Sequence, residues 1–365
     1  MARTRSAPAP IPVAQSADWG VIGNQDARNA LQRALRAGHV AHAYVFAGSL
    51  DLGKRQIARA FTQALLCEAP IDGGAVGCGE CRSCRKVERG THPDVDRWDL
   101  ERQAAAAQSS SRSTGKNTTI TIETARELRA STALRPIEGR RRVVVVEDAG
   151  TMQETAQEAL LKTLEEPPAA VVLILITDDA ELLLPTIRSR CTVVEFRPVP
   201  PATIAAELIN RGASAAEAAE ISFLAEGRPE LALRALSTPE LLNERRDSRQ
   251  RALAWAFGTR YDHLVTAARM GDQFSAKREA VFADVESVLS VWRDVVLLTA
   301  GARPLVVAGS PAEALDRAAA DVSLVDALAA LKATQQCLAD LEANVRPRLA
   351  LEGMVVQWPI PSNSR

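Results

Sequence analysis

The chain has 365 residues, with 44 Lys and Arg against 45 Asp and Glu, so its formal net charge is -1. That balance excludes an acidic or basic tail protein, and it excludes nucleic-acid binding driven by overall charge. At roughly 150 residues per domain the length predicts two or three domains. Hydrophobic residues make up 47% but aromatics only 4%, so Ala, Leu, Val and Ile must build the cores.

No run of about 18 uncharged apolar residues is present, and no membrane span is expected. Residues 1–18 are rich in Pro and Ala, with basic residues but no apolar stretch, and read as a loose leader and not a secretory signal. The cytoplasm is therefore expected, and disulfides are not the expected use of the six cysteines.

From Val21 to about Phe196, short branched-aliphatic runs alternate with longer amphipathic segments. Ala43 to Ala47 reads as a buried strand ending at Gly48, and Gln56 to Leu66 has helical periodicity. Val143 to Val146 and Val171 to Thr177 do not alternate apolar with polar, which predicts central strands covered on both faces. Gln153 to Leu164 reads as a helix stopped by Pro167-Pro168, and Thr192 to Phe196 as a third strand of the same kind. An α/β core over 19–198 with a mostly parallel sheet follows. Within it, residues 104–119 are small, polar and serine-rich, as in an exposed loop or disordered insert. Beyond Pro200 the pattern is helical. Three short helices (202–209, 215–225 and 229–236) fall in a small domain over 199–244, and an all-helical domain covers 245–365.

Cys67, Cys78, Cys81 and Cys84 form a second feature, a module over 67–84. Tight Cys-x2-Cys turns offer neighbouring corners of a tetrahedron, which suits a structural zinc ion held by four thiolates. A ferredoxin-type iron–sulfur run needs a cysteine and then a proline where Glu88 and Arg89 stand. Free thiols are the remaining reading. Cys191 and Cys337 stand alone and are expected to be buried or inert.

Gly48-Ser49-Leu50-Asp51-Leu52-Gly53-Lys54 lies between a strand and a helix, the setting of a phosphate-binding loop. Gly48, Gly53 and Lys54 are its candidate nucleotide contacts. The next position should carry the hydroxyl that helps hold magnesium, and it is Arg55, which has donors only. Asp51 adds negative charge inside the loop. Glu147-Asp148 after the valine strand reverses the usual order of a magnesium-holding Asp and a water-orienting Glu. Hydrolysis of ATP with magnesium is therefore not expected; idle nucleotide binding and a plain strand-to-helix turn are the alternatives.

These elements occur together with Val21-Ile22-Gly23-Asn24-Gln25, His42-Ala43-Tyr44 and His92-Pro93-Asp94. Further on come Ala159-Leu160-Leu161-Lys162-Thr163-Leu164-Glu165-Glu166-Pro167-Pro168 and Thr186-Ile187-Arg188-Ser189-Arg190-Cys191. Over residues 19 to 200 the chain resembles the clamp-loader subunits of bacterial DNA polymerase III, its delta-prime type more than the gamma/tau ATPase. The helical remainder resembles it weakly, through Trp292-Arg293-Asp294 and Leu349-Ala350. The resemblance implies an AAA+ core, a helical lid and a helical collar. It also implies a five-membered ring with gamma/tau and delta subunits that places a sliding clamp on primer–template DNA.

In that family the Ser-Arg-Cys motif, here Ser189-Arg190-Cys191, carries an arginine finger donated in trans. Arg190 is thus the candidate catalytic residue for a neighbouring gamma/tau subunit, with Arg188 as its competitor. Thr177 matches a nucleotide-sensing position, and Arg228 stands slightly before the lid arginine of an active ATPase. Among basic residues, Arg140-Arg141-Arg142 reads as a solvated turn with a phosphate site as the alternative, and Arg129, on a helix face with Arg126, as a candidate DNA-backbone contact. Two other readings predict different behaviour. A gamma/tau-type ATPase would hydrolyse ATP alone, and a zinc-bearing DNA-binding or regulatory protein without an assembly role would bind duplex by itself, with strong salt dependence, through basic residues around Cys78 to Arg89. Polymerase and nuclease chemistry find no support in this chain, although the resemblance implies a place in a holoenzyme that contains a DNA polymerase.

Overall fold

Five short runs supply a single parallel sheet in the computed structural model, which describes residues 19–109, 119–238, 240–302, 315–316, 319–343 and 345–360. They are β1 (Ala43–Ala47), β2 (Val95–Trp98), β3 (Arg142–Val146), β4 (Val171–Thr177) and β5 (Thr192–Glu195), in the order β2-β3-β4-β1-β5. Side chains alternate between faces, and here both faces are covered. Tyr44, Phe46, Val143, Val145, Val172, Ile174 and Ile176 enter one core with Trp19, Leu31, Ile57 and Phe61. Ala43, Val45, Val144, Val146, Leu173 and Leu175 enter the other with Leu128, Leu160 and Leu164.

The helices over these faces are α1 (Gln25–Arg36), α2 (Lys54–Leu66), α3 (Arg82–Glu88), α4 (Leu100–Ser109), α5 (Ile122–Thr132), α6 (Glu154–Glu165) and the short α7 (Pro185–Arg188). Two expectations are corrected. The strand at 192 is an edge strand and not a central one: Thr192, Val193 and Glu195 are exposed, and only Val194 faces the core. The expected loop at 104 is helical through Ser109, because an alanine run favours helix and the Asp99 carboxylate accepts the backbone N–H of Arg102 (2.7 Å) at its start. Residues 110–118 of that insert and the leader 1–18 lie outside the described residues.

The chain divides into two compact units. The α/β unit runs to residue 207 and includes 227–231; the helical unit takes 208–226 and everything from 232 onward. The later helices are α8 (Pro201–Asn210), α9 (Ala215–Leu224), α10 (Pro229–Ser237), α11 (Glu240–Ala256), α12 (Arg260–Gln273), α13 (Arg278–Thr299), α14 (Leu324–Glu342) and α15 (Pro347–Val356). Val281, Val285, Val288, Trp292 and Val295 make one buried stripe along α13, packed with Trp255, Trp358 and Leu351.

A fully buried Asp294 on α13 pairs with Arg249 on α11 (2.5 Å). Arg249 also donates to Ser290 (3.2 Å) and lies over the Phe223 ring of α9 at 5.0 Å. Deleting either partner would strand a buried charge, at about 3–5 kcal/mol.

Among the described residues no helix is long and apolar enough to cross a membrane.

Candidate functional site

The carboxyl ends of β1, β3 and β4 converge on one cleft of about 120 Å³. Beyond β1 the chain makes the 48–53 turn. Gly48 has φ +148°, and a side chain there would strike Phe196, whose Cβ would lie 2.8 Å away. Gly53 has φ +93° and is the N-cap of α2. Both glycines thus have a backbone reason independent of any phosphate.

Lys54 is buried. Its ammonium donates to the carbonyls of Gly48 and Thr177 (the latter at 2.9 Å) and to the Asp178 carboxylate at 2.7 Å. Those three bonds match the three donors an ammonium owns. Thr177 turns its hydroxyl to the Asp179 carbonyl (2.8 Å).

Arg55 reaches across to the end of β3. Its Nε pairs with Glu147 at 2.6 Å and its terminal nitrogen with Asp148 at 3.5 Å. Glu147, itself buried, is also paired with Arg97. Burial pushes the Asp148 carboxyl up against the opposing pull of Arg55, with Glu147 and Asp178 adding to the rise. Four carboxylates (Asp51, Asp148, Asp178 and Glu230) and two cations (Lys54 and Arg55) line the cleft. Glu230, not Arg228, is the residue of the 227–231 segment that faces it, and its backbone N–H donates to the Asp51 carbonyl (3.1 Å).

Arg190 lies outside this cleft, in the turn between α7 and β5. Its guanidinium bonds Glu165 at the end of α6 (2.9 Å), the Thr186 carbonyl (2.9 Å) and the Ser189 hydroxyl (3.3 Å). The competitor Arg188 is paired with Glu181. Of the basic run, Arg142 is not solvated: it opens β3, is buried, and bonds Ser131 (3.3 Å) and Asp96 (3.5 Å). Arg126 and Arg129 are exposed on α5.

The cysteines meet as expected. The sulfurs of Cys67, Cys78, Cys81 and Cys84 all lie within 4.8 Å of one another, with Cys67 and Cys81 3.9 Å apart. A tetrahedron with zinc–sulfur bonds of about 2.3 Å has edges of about 3.8 Å, so the set is able to chelate a metal ion. Backbone N–H groups of Cys78, Cys81 and Cys84 donate to the preceding sulfurs at 3.2–3.3 Å, which favours thiolates. The Cys78 thiol falls to about 7 even against its burial, through hydrogen bonds from the 80–81 backbone. Burial and the crowded sulfurs drive Cys84 up. A dication resolves that conflict by accepting all four sulfurs. Cys337 is buried and Cys191 partly so, and burial pushes both thiols up to about 12.

Behind this cluster, Ser83 Oγ lies 2.8 Å from His92 Nε2. The trio Ser83, His92 and Asp94 is not a nucleophilic triad. The Asp94 backbone N–H donates to His92 Nδ1 (3.1 Å), so the ring proton sits on Nε2 and points at the serine oxygen. The Asp94 carboxylate instead accepts the N–H groups of Ile137, Glu138 and Gly139 at 2.5, 2.9 and 2.6 Å. Burial opposes its ionisation, but those donors outweigh it and hold the carboxyl below the usual range. The His-Pro-Asp motif therefore braces the cysteine module against the sheet. Its identity as a brace was not legible beforehand, because the 137–139 turn it grips is remote in sequence.

A family model described as "DNA polymerase III, delta subunit" matches residues 23–200. The chain is 38% identical over 197 residues to DNA polymerase III subunit delta-prime of Pseudomonas aeruginosa, covering 54% of this chain and 52% of that protein. It is 32% identical over 171 residues to DNA polymerase III subunit tau of Escherichia coli, covering 47% of this chain and 24% of that one. This chain thus spans about half of the first relative's length and a quarter of the second's. A solved DNA polymerase III gamma subunit-related protein of Thermotoga maritima is 19% identical, with a TM-score of 0.41, over 91% of this chain and 98% of that one.

Proposed function

From the homology of residues 23–200 to DNA polymerase III delta-prime and gamma/tau subunits, we propose that this chain is a clamp-loader subunit that does not hydrolyse ATP itself. It lends Arg190 to an adjacent gamma/tau-type ATPase, and so helps load the sliding clamp on primed DNA.

The observation that carries the first half is the placement of Arg55. A guanidinium bridges Glu147 and Asp148, the carboxylates that would otherwise hold magnesium and orient water. A cation supplied by the protein competes with a metal ion for the same oxygens. The cleft has two more carboxylates than cations, which disfavours a triphosphate, and its 120 Å³ falls below the roughly 300 Å³ of ordinary ligand sites. Lys54 would have to give up one of three bonds to reach a phosphate.

Arg190 supports the second half by position. Glu165 and the Thr186 carbonyl hold its planar fork at the end of an element, partly exposed and away from the chain's own cleft. Swinging from Glu165 to a neighbour's γ-phosphate exchanges one anion for another, and the guanidinium would meet the charge that develops in phosphoryl transfer. In this reading Cys67, Cys78, Cys81 and Cys84 hold a structural zinc, which shapes the module and takes no part in the chemistry. The core at 19–198 is followed by a lid at 199–244 and a collar at 245–365. The collar joins gamma/tau and delta subunits into a five-membered ring in the cytoplasm, and contact with clamp and primer–template is made through the whole complex.

The reading is tested by mixing the purified chain with a gamma/tau subunit from the same cell. The two should elute together, and magnesium-dependent ATP hydrolysis should exceed that of gamma/tau alone. Separate elution with an unchanged rate would refute it.

A further inference from the structure

The cysteine module carries a charged face that the proposed role does not use. Arg82, Arg85 and Arg89 are exposed and spaced i, i+3 and i+7, so they share one side of α3 and its C-terminal cap. None of the three makes a salt bridge among the described residues, in which their neighbours are already committed. Glu88 pairs with Arg59 (3.4 Å), Glu138 with Lys86 (2.6 Å), and the Glu68 carboxylate accepts the Ser83 backbone N–H (3.3 Å). The Lys86–Glu138 bridge also brings the 137–141 segment to α3, adding the exposed Arg140 to the same region. The apolar residue of α3, Val87, and its ligand Cys84 both point inward, so the row offers cations without an apolar anchor.

We infer that this arginine row is a sequence-independent binding surface for the phosphate backbone of duplex DNA, open in the isolated chain and additional to the contacts that the whole complex makes. Seven residues of helix place the three guanidinium groups along about 10 Å. A strand of duplex presents a phosphate every 3.4 Å of axis, so the row spans about three phosphates. An acidic protein partner would need a buried apolar or aromatic anchor to gain stability, and α3 presents none on this side. The chain's overall charge of -1 is no obstacle, because screening limits each charge to about 10 Å at ordinary ionic strength. The module, rigidly braced through His92 and Asp94, would hold the row in place.

The test uses the full chain purified with its metal and fluorescence anisotropy of a fluorescein-labelled primer–template duplex. The variant Arg82→Ser/Arg85→Ser/Arg89→Ser should bind at least about tenfold more weakly at about 50 mM salt, with a salt dependence shallower by about 2–3 in log–log slope. The triple Arg→Lys variant keeps the charges and should stay within about threefold of the original. Arg190→Ala should not alter this binding, which separates the surface from the proposed finger. Equal affinity of the serine triple and the original chain would overturn the inference. So would an original chain that ignores DNA but binds polyglutamate.

Discussion

Replacing Cys78 or Cys84 by serine is expected to release the metal and unravel the 67–84 module, with a stability loss of more than about 4 kcal/mol. The size follows from what the module is attached to. Cys67 ends α2, whose Ile57 and Phe61 lie in the sheet's core. Ala75 and Val76 are themselves core residues, and the Trp19 indole donates to the Ala75 carbonyl (3.1 Å). Losing one sulfur therefore loosens the Trp19–Phe61 contact as well as the loop. Elemental analysis of the intact chain, purified without chelator, should give one zinc per chain; less than about half an equivalent would defeat the metal assignment. Thermal unfolding followed by near-ultraviolet circular dichroism reads the stability loss. A serine variant that retained metal and melting temperature would show that these sulfurs do not share an ion.

Arg190→Ala is expected to lower the neighbour's hydrolysis at the shared site by about a thousandfold, the lower end of what a finger contributes. Assembly should survive, because the Arg190–Glu165 pair is exposed and such pairs are worth about 0–1 kcal/mol. Arg190→Lys should rescue little, since an ammonium lacks the planar fork. The measurement is steady-state ATP hydrolysis by the mixed complex, with gel filtration of the same sample. An unchanged rate in an intact complex would remove Arg190 from the mechanism and turn attention to Arg188.

The sheet was legible where both faces are buried. β1, β3 and β4 appear as unbroken apolar runs, and four of the five Ala43–Ala47 to Val171–Thr177 pairings are between large apolar residues or alanine. β2 has no clear local signature, because Val95–Trp98 carries Asp96 and Arg97, charges satisfied by partners outside the strand: Asp96 by Ser131, Arg102 and Arg142, Arg97 by Glu147. β5 reads as a central strand for the opposite reason, since an edge strand with Val193 and Val194 has the composition of a central one.

At the cleft, Arg55 was visible as a misfit in a phosphate loop. Its pairing with Glu147 and Asp148, more than ninety residues on, is a property of the β1–β4–β3 neighbourhood and has no local signature. The cysteine spacing, by contrast, encodes its geometry directly, because Cys-x2-Cys turns bring sulfurs together whatever surrounds them.

The most direct test is the rate of ATP hydrolysis by the isolated chain with magnesium, beside a Lys54→Ala control. No rate above the control is predicted, since a guanidinium occupies the carboxylates that a metal ion would need. Magnesium-dependent turnover by the original chain that disappears in the Lys54→Ala variant would contradict the account.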